Sequence, residues 1–100
     1  MAKRIIWSQK AQSDRKEILE YWRNRTKSTS YSKKLDSLFK GALSILKDYP
    51  QIGKPTEFDH VRIKIVRDYL MIYEDTEGAI ILHSVWDIRQ KPEEPEKIIR

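Results

Sequence analysis

The sequence predicts an α+β domain in which two helices cover one face of a mostly antiparallel sheet. In the first half of the chain, apolar residues recur every three or four positions, as along one face of a helix. After residue 60 the pattern changes to alternation, which is typical of half-buried strands. The expected element order is β-α-α-β-β-β. Since 100 residues suit one domain, we place it at residues 1–91 and expect residues 92–100, rich in Pro and Glu, to be a tail that can be disordered.

A short strand followed by an amphipathic helix is expected at the start of the chain. Arg4–Trp7 contains three strong strand formers in succession. Ser8 follows as a candidate N-cap, whose side chain can accept a hydrogen bond from the first helical turn. The helix then runs from Gln9 to about Arg25. Its apolar side consists of Ala11, Ile18, Leu19 and Trp22.

A second helix is predicted from Ser30 to about Asp48, after a break rich in Ser and Thr. Ser30 is the expected N-cap, and Pro50 and Gly53 end the helix. Its apolar face is the clearest periodic pattern in the chain. That face consists of Leu35, Leu38, Phe39, Ala42, Ile45, Leu46 and Tyr49.

The last third of the chain predicts three strands joined by tight turns at residues 67–68 and 75–78. In residues 61–66 apolar and charged side chains alternate, which indicates a half-buried strand. Strands at 69–73 and 79–86 follow, and the last has a nearly continuous apolar run that favours an interior place in the sheet. The sheet face opposite the helices is then open for function.

The composition restricts the partners and the compartment. Lys and Arg number 20 against 15 Asp and Glu, a formal net charge of +5, which favours a phosphate backbone or an acidic protein as partner. Ordinary solubility charge is the alternative explanation. Cysteine is absent, so no thiolate metal site is available. With neither a secretion signal nor an apolar run of membrane length, we expect a cytoplasmic protein without membrane contact.

Four basic residues form the candidate phosphate-binding site. Arg62 and Lys64 share one face of a strand, Arg67 lies at the following turn, and Arg89 comes just after the last strand. A groove that follows a phosphate backbone needs several neighbouring cations. The alternative to such a groove is an ordinary solvated surface, which tolerates neighbouring cations as well. Nearby aromatic and histidine residues favour the phosphate site. The aromatic candidates for base stacking, for which core packing is the commoner role, are Tyr69, Tyr73 and Trp86.

Histidine supplies the candidate proton carrier. The chain has two histidines, His60 and His83, and either can carry a proton near neutral pH. His83 is expected on the face shared with Ile81 and Val85, so a packed, structural histidine is the alternative. Without a second histidine at helical spacing, we expect neither a metal nor a cofactor.

Five stretches of the chain occur in an order that one known family shares. They are AQSDRKEILEYW at 11–22, YPQIG at 49–53, VRIKI at 61–65, YLMIY at 69–73 and VWDIRQ at 85–90. The ordered set covers nearly the whole chain and resembles the RelE/ParE superfamily, the toxin halves of bacterial type II toxin-antitoxin pairs. The resemblance implies a compact sheet with two helices on one face, and a cognate antitoxin whose segment wraps the toxin.

The RelE branch implies cleavage of messenger RNA in the ribosomal A site, and thereby inhibition of translation. Arg62 and Lys64 match positions where its nucleases keep basic residues. On this interpretation the phosphates are held by Arg62, Lys64, Arg67 and Arg89. Three of these also stabilise the transition state, namely Arg62, Lys64 and Arg89, and His83 carries the proton. A ribosome-dependent endoribonuclease is therefore the expected activity, with mRNA on the ribosome as its partner.

The ParE branch implies the alternative, a DNA gyrase inhibitor without enzymatic activity. RelE-like nucleases commonly place an arginine where this sequence has Leu70, and a C-terminal tyrosine where it has residues 92–94. The hairpin that begins at residue 69 is closer to ParE-like members. Arg89 fits an arginine that many members of both branches carry near this end. A degenerate member retained only to bind a partner is the third alternative.

Overall fold

The computed structural model describes residues 3–89, which form a five-stranded sheet and two helices. The predicted fold class and the order of its six elements are confirmed, and a two-residue strand is added after the second helix. The predicted tail at 92–100 lies outside the described residues. The elements are β1 (Arg4–Trp7), α1 (Gln9–Thr26), α2 (Ser30–Asp48), β2 (Lys54–Pro55), β3 (Val61–Val66), β4 (Tyr69–Asp75) and β5 (Ala79–Asp87).

The strands lie in the order β1-β5-β4-β3-β2. β1 runs parallel to β5, and the other neighbouring pairs are antiparallel. β5 therefore lies inside the sheet, as its nearly continuous apolar sequence predicts. Its pairing with β4 shifts register between Ile72 and Tyr73. Such a bulge interrupts the alternation of side chains along the strand.

Both helices begin where the sequence predicts, but only α1 has the predicted cap. Ser8 accepts a hydrogen bond from the Ala11 amide at 3.0 Å, which satisfies one donor of the first turn. The prediction of a Ser30 cap is wrong, because Ser30 is already helical and Thr29 is the N-cap, without a side-chain bond to the helix. Instead, the Ser30 amide donates to the Ser28 hydroxyl at 3.1 Å. Neither helix of the described part is long and apolar enough to cross a membrane.

The sheet separates two apolar clusters. Adjacent residues of a strand point to opposite sides of a sheet, so each side carries its own cluster. We call the side that packs against the helices the helix face and the other side the open face. The helix-face core includes Leu35, Phe39 and Leu46 of α2 with Tyr69, Met71, Tyr73, Leu82 and Val85 of the sheet. The open-face cluster consists of Val61, Ile63, Ile72 and Trp86, with Phe58 and Leu70 packed against it.

A two-pronged ion pair joins α1 to α2. Arg15 donates from Nε and Nη2 to the two carboxylate oxygens of Asp36, at 2.6 and 2.7 Å, and its guanidinium carbon lies 5.5 Å from the ring centre of Trp7. These hydrogen bonds raise the pKa of Arg15 and lower the pKa of Asp36. Ser32 adds a hydrogen bond to the Leu19 carbonyl at 2.7 Å. Together these contacts fix the two helices relative to each other.

Candidate functional site

Strand β3 turns Arg62 and Lys64 toward the helix face. Their pairing partners in β4 are Tyr73 and Met71, and both partners belong to the core beneath the helices. Directly paired residues of adjacent strands project to the same side of the sheet. Arg62 and Lys64 therefore share a face, as the alternation predicts, but that face is not the open one. Both side chains are half-buried.

Arg62 is attached to the loop between α2 and β2. Its Nη1 donates to the Gly53 carbonyl at 2.8 Å. The Gly53 amide donates to Tyr73 Oη at 3.0 Å, and Oη in turn donates to the Pro50 carbonyl at 2.7 Å. Burial raises the pKa of Tyr73, so the phenol keeps the proton that it donates. Arg62 thus stabilises a loop with the guanidinium that was predicted to hold phosphate.

His83 lies on the open face, where it pairs with Glu74. Its Nε2 is 2.9 Å from the Glu74 Oε1, and both side chains are partly exposed. Glu74 follows Tyr73 in β4 and pairs with Val61 of the open-face cluster, which places it on the open face. The expectation that His83 shares a face with Val85 is wrong. Val85 packs in the helix-face core, because the bulge interrupts the alternation of β5.

Arg89 lies where α1, β4 and the end of β5 meet. Its guanidinium carbon is 4.9 Å from the ring centre of Trp22. Its Nη2 is 3.4 Å from the Tyr69 Oη, which also accepts a 2.6 Å hydrogen bond from the Trp22 indole. Nε lies 3.6 Å from Asp87 and 3.8 Å from Asp68. Burial opposes the charge on Arg89, but the nearby carboxylates outweigh that effect and raise its pKa.

The structure distributes the predicted site residues over three places. Arg62 and Lys64 lie on the helix face, and His83 lies on the open face. Arg67, exposed in the β3–β4 turn, and Arg89 lie at one end of the sheet, where the aspartate of that turn contacts Arg89. Within residues 3–89, the predicted cations and the histidine therefore do not converge on one substrate position. No cluster of acidic, His or Cys side chains suited to a metal ion occurs in this range.

The described residues also form a groove of about 990 Å³ between α1 and α2. The groove was not predicted from the sequence, although the spacing of basic residues along the two helices indicates it. Lys16 and Arg23 are seven residues apart in α1, as are Lys33 and Lys40 in α2, so each pair lies on one side of its helix. Because basic residues outnumber acidic ones in its lining, the groove is suited to an acidic segment of a partner. Its charged lining consists of Arg15, Lys16, Arg23, Lys33 and Lys40 against Glu20 and Asp36.

Three large apolar side chains are exposed together at the end of α2. Ile45 is 45% exposed, Tyr49 66% and Ile52 53%. The Tyr49 amide donates to the Ile45 carbonyl at 2.9 Å and the Ile52 amide to the Tyr49 carbonyl at 3.1 Å, so the three residues are neighbours. We call them the loop patch. The periodicity of α2 wrongly grouped Ile45 and Tyr49 with the buried face, because Ile45 lies at the margin of that face and Tyr49 is the C-cap, where the chain leaves the helix.

The fold is shared with a solved chain described as "Chromosomal ParDE TA system from P. aeruginosa". The two chains superpose with a TM-score of 0.71 at 15% sequence identity, over 84% of this chain and 94% of the other. At this identity the likeness concerns the fold alone. The likeness defines the fold class of this chain, which is an α+β domain with a pair of helices on one face of a mixed sheet.

The family is established by the sequence. The profile of the family described as "ParE toxin of type II toxin-antitoxin system, parDE" matches residues 5–92. Because this match includes both helices and nearly all of the sheet, the chain belongs to the ParE toxin family. The resemblance to the RelE/ParE superfamily is thereby confirmed. No curated protein sequence matches the chain significantly.

Proposed function

We propose that this ParE-family toxin inhibits bacterial growth by binding DNA gyrase, without catalysing a reaction, and that a cognate antitoxin silences it in the cytoplasm. The identity of the target comes from the ParE branch of the superfamily. The mode of action comes from the geometry of the candidate site. The proposal therefore has two parts, which are tested separately.

The observation that carries the proposal is the separation of the candidate catalytic groups by the sheet. Metal-independent cleavage of RNA needs proton transfer and charge stabilisation within hydrogen-bond reach of one substrate. Arg62 holds Gly53 on the helix face, whereas His83 pairs with a carboxylate on the open face. A substrate bound to either face of the sheet therefore contacts only some of the predicted catalytic residues. Binding to a macromolecule has no such requirement.

The groove between α1 and α2 supports an antitoxin as partner. Basic residues outnumber acidic ones in its lining, which includes the Arg15–Asp36 ion pair with its two hydrogen bonds. An acidic segment is attracted to such a surface before contact, which speeds association, and meets little need for rearrangement on binding. The net charge of +5 acts in the same direction.

A ribosome-dependent mRNA endonuclease is the second candidate, favoured by the pair of His83 and Glu74. A carboxylate 2.9 Å from an imidazole nitrogen orients the ring. The pair would supply proton transfer on the open face, with Arg67 and Arg89 at the end of the sheet to hold phosphates. This candidate requires RNA to reach both places at once.

The test is a supercoiling assay with purified gyrase and the purified toxin. The proposal predicts that supercoiling stops when the toxin is present at concentrations similar to that of gyrase. It also predicts that translating ribosomes incubated with the toxin leave their transcripts intact. Normal supercoiling together with cut transcripts would instead establish the endonuclease.

A further inference from the structure

We infer that the loop patch of Ile45, Tyr49 and Ile52 is the surface with which this toxin contacts its target, and that the target presents an apolar protein segment flanked by carboxylates. The inference rests on the proposed function, since it takes the target to be a protein. It assigns the contact to exposed apolar side chains, none of which is among the predicted phosphate-binding residues.

The loop patch has the composition of a protein contact. An exposed isoleucine alone needs no explanation, but three large apolar side chains that are about half exposed and adjacent indicate a binding surface. Ile45 lies in the last turn of α2, and Tyr49, the C-cap, is joined to it by a backbone hydrogen bond. The turn that follows brings Ile52 back beside Tyr49. Residues 48–52 line a shallow concavity, so Tyr49 and Ile52 of the loop patch form part of its wall. Tyrosine is one of the side chains that contribute most to protein interfaces.

Hydrogen bonds from strands β3 and β4 hold the loop that carries the patch in one conformation. Tyr73 is fully buried, and its hydroxyl accepts from the Gly53 amide and donates to the Pro50 carbonyl. Arg62 binds the Gly53 carbonyl from the neighbouring strand. A loop fixed in this way loses little conformational entropy when it binds a partner. In this interpretation Arg62 and Tyr73 are positioning residues that act through the loop.

The charges around the loop patch indicate which kind of partner it binds. Lys47 and Lys54 flank it along the chain, and Arg62 reaches the loop from β3, so cations outnumber the one carboxylate of this segment, Asp48. Cations around an apolar centre complement a segment with apolar side chains and flanking carboxylates. Phosphate backbones are held by cations and amide groups and not by exposed isoleucines. A protein segment is therefore the occupant to which the surface is suited.

The experiment compares Tyr49→Ser/Ile52→Ser with Ile6→Ser, a matched control. Ile6 is 36% exposed and lies in β1, at the opposite edge of the sheet from β2, the strand that follows the loop. Each variant is expressed in bacteria at graded levels, and growth, transcript integrity and inhibition of purified gyrase are measured, with thermal unfolding as the check on folding. The double variant is expected to need about tenfold more protein for the same growth inhibition, the loss that follows from removing one interface hot spot. Ile6→Ser is expected to match the wild type.

The outcomes separate this inference from the proposed function. A folded double variant that still inhibits growth at wild-type levels overturns the inference. If the wild type and the control inhibit growth but leave gyrase unaffected, the proposed target is wrong, while loss of toxicity in the double variant still supports the patch. If the wild type cuts transcripts and the double variant does not, RNA uses this surface and the protein occupant is excluded. Should the double variant unfold, Tyr49→Ser alone decides, because its ring is the most exposed of the three.

Discussion

His83 Nε2 lies 2.9 Å from Glu74 Oε1 on the open face of the sheet, while Arg62, predicted to act with it, donates to a loop carbonyl on the helix face. The thickness of one sheet separates the predicted proton carrier from Arg62 and Lys64, two of the cations that were expected to stabilise charge. This relationship distinguishes the two candidate functions, because a nuclease needs the groups together and a binding toxin does not.

Replacing His83 by Gln tests directly whether growth inhibition needs this histidine as a proton carrier. A non-catalytic toxin should keep its growth inhibition within about twofold, because surface substitutions outside an interface usually change stability and binding little. The measurement is growth against the level of induced protein, for wild type and His83→Gln. If growth inhibition falls 100-fold or more, as losses of a general acid or base do, the endonuclease is the better description.

The close approach of Gly53 to Tyr73 predicts opposite effects for two Gly→Ala substitutions. A Cβ at Gly53 would lie 2.7 Å from the Tyr73 Cε1, and this ring is fully buried, so Gly53→Ala should destabilise the protein by about 2 kcal/mol. A Cβ at Gly41, within α2, meets nothing within 4 Å. Gly41→Ala should therefore stabilise by about 0.5–1 kcal/mol, since Ala favours the helix. Urea unfolding measures both, and equal effects of one sign would contradict the packing described for the loop.

Trp22, Tyr69 and Arg89 should be energetically coupled. Trp22→Phe removes the indole donor to the Tyr69 hydroxyl, and Arg89→Lys removes the planar group above the indole. Each change should cost about 1 kcal/mol. The double variant should cost less than the two together, because the contacts share Trp22. Urea unfolding of the four proteins of this cycle checks the coupling, and strict additivity would show that Arg89 acts elsewhere.

The Arg15–Asp36 pair predicts a pH dependence of stability with a definite sign. The Arg15 guanidinium lowers the pKa of Asp36 below its ordinary value of about 4. A lowered carboxyl pKa stabilises the fold above the unfolded-state pKa, and this contribution is lost as the pH falls through the folded-state pKa. Asp36→Asn should therefore be less stable than wild type by about 1 kcal/mol at pH 6, a modest figure because Arg15 is partly exposed. The difference should shrink at pH 2.5 in urea unfolding, and a constant difference would contradict an ionic origin.

The fold could be predicted from local patterns because most of its elements obey them. Ser8, the helix limits and the alternation of β3 follow from rules that act over a few residues. The prediction failed where tertiary structure decided the outcome. Thr29 replaces Ser30 as the cap, and the bulge beside Ile72 moves Val85 away from the face of His83.

The site was harder to predict, because strand alternation groups residues without saying which group the helices cover. Arg62 and Lys64 were correctly placed together, yet no sequence pattern assigned them to the helix face. The contact between Arg62 and Gly53 joins positions whose neighbourhood depends on how the loop folds back onto β3. The loop patch was missed because periodicity treats a helix as if it continued through its C-cap at Tyr49.

The central claim, that this toxin acts by binding and not by catalysis, is tested most directly by inducing it in bacteria and following transcripts and plasmid supercoiling in the same culture. The account predicts that supercoiling is lost while translated transcripts stay full length during growth arrest. Rapid cleavage of those transcripts with normal supercoiling would contradict it, and would mean that His83 acts on RNA together with basic residues that lie elsewhere on the sheet.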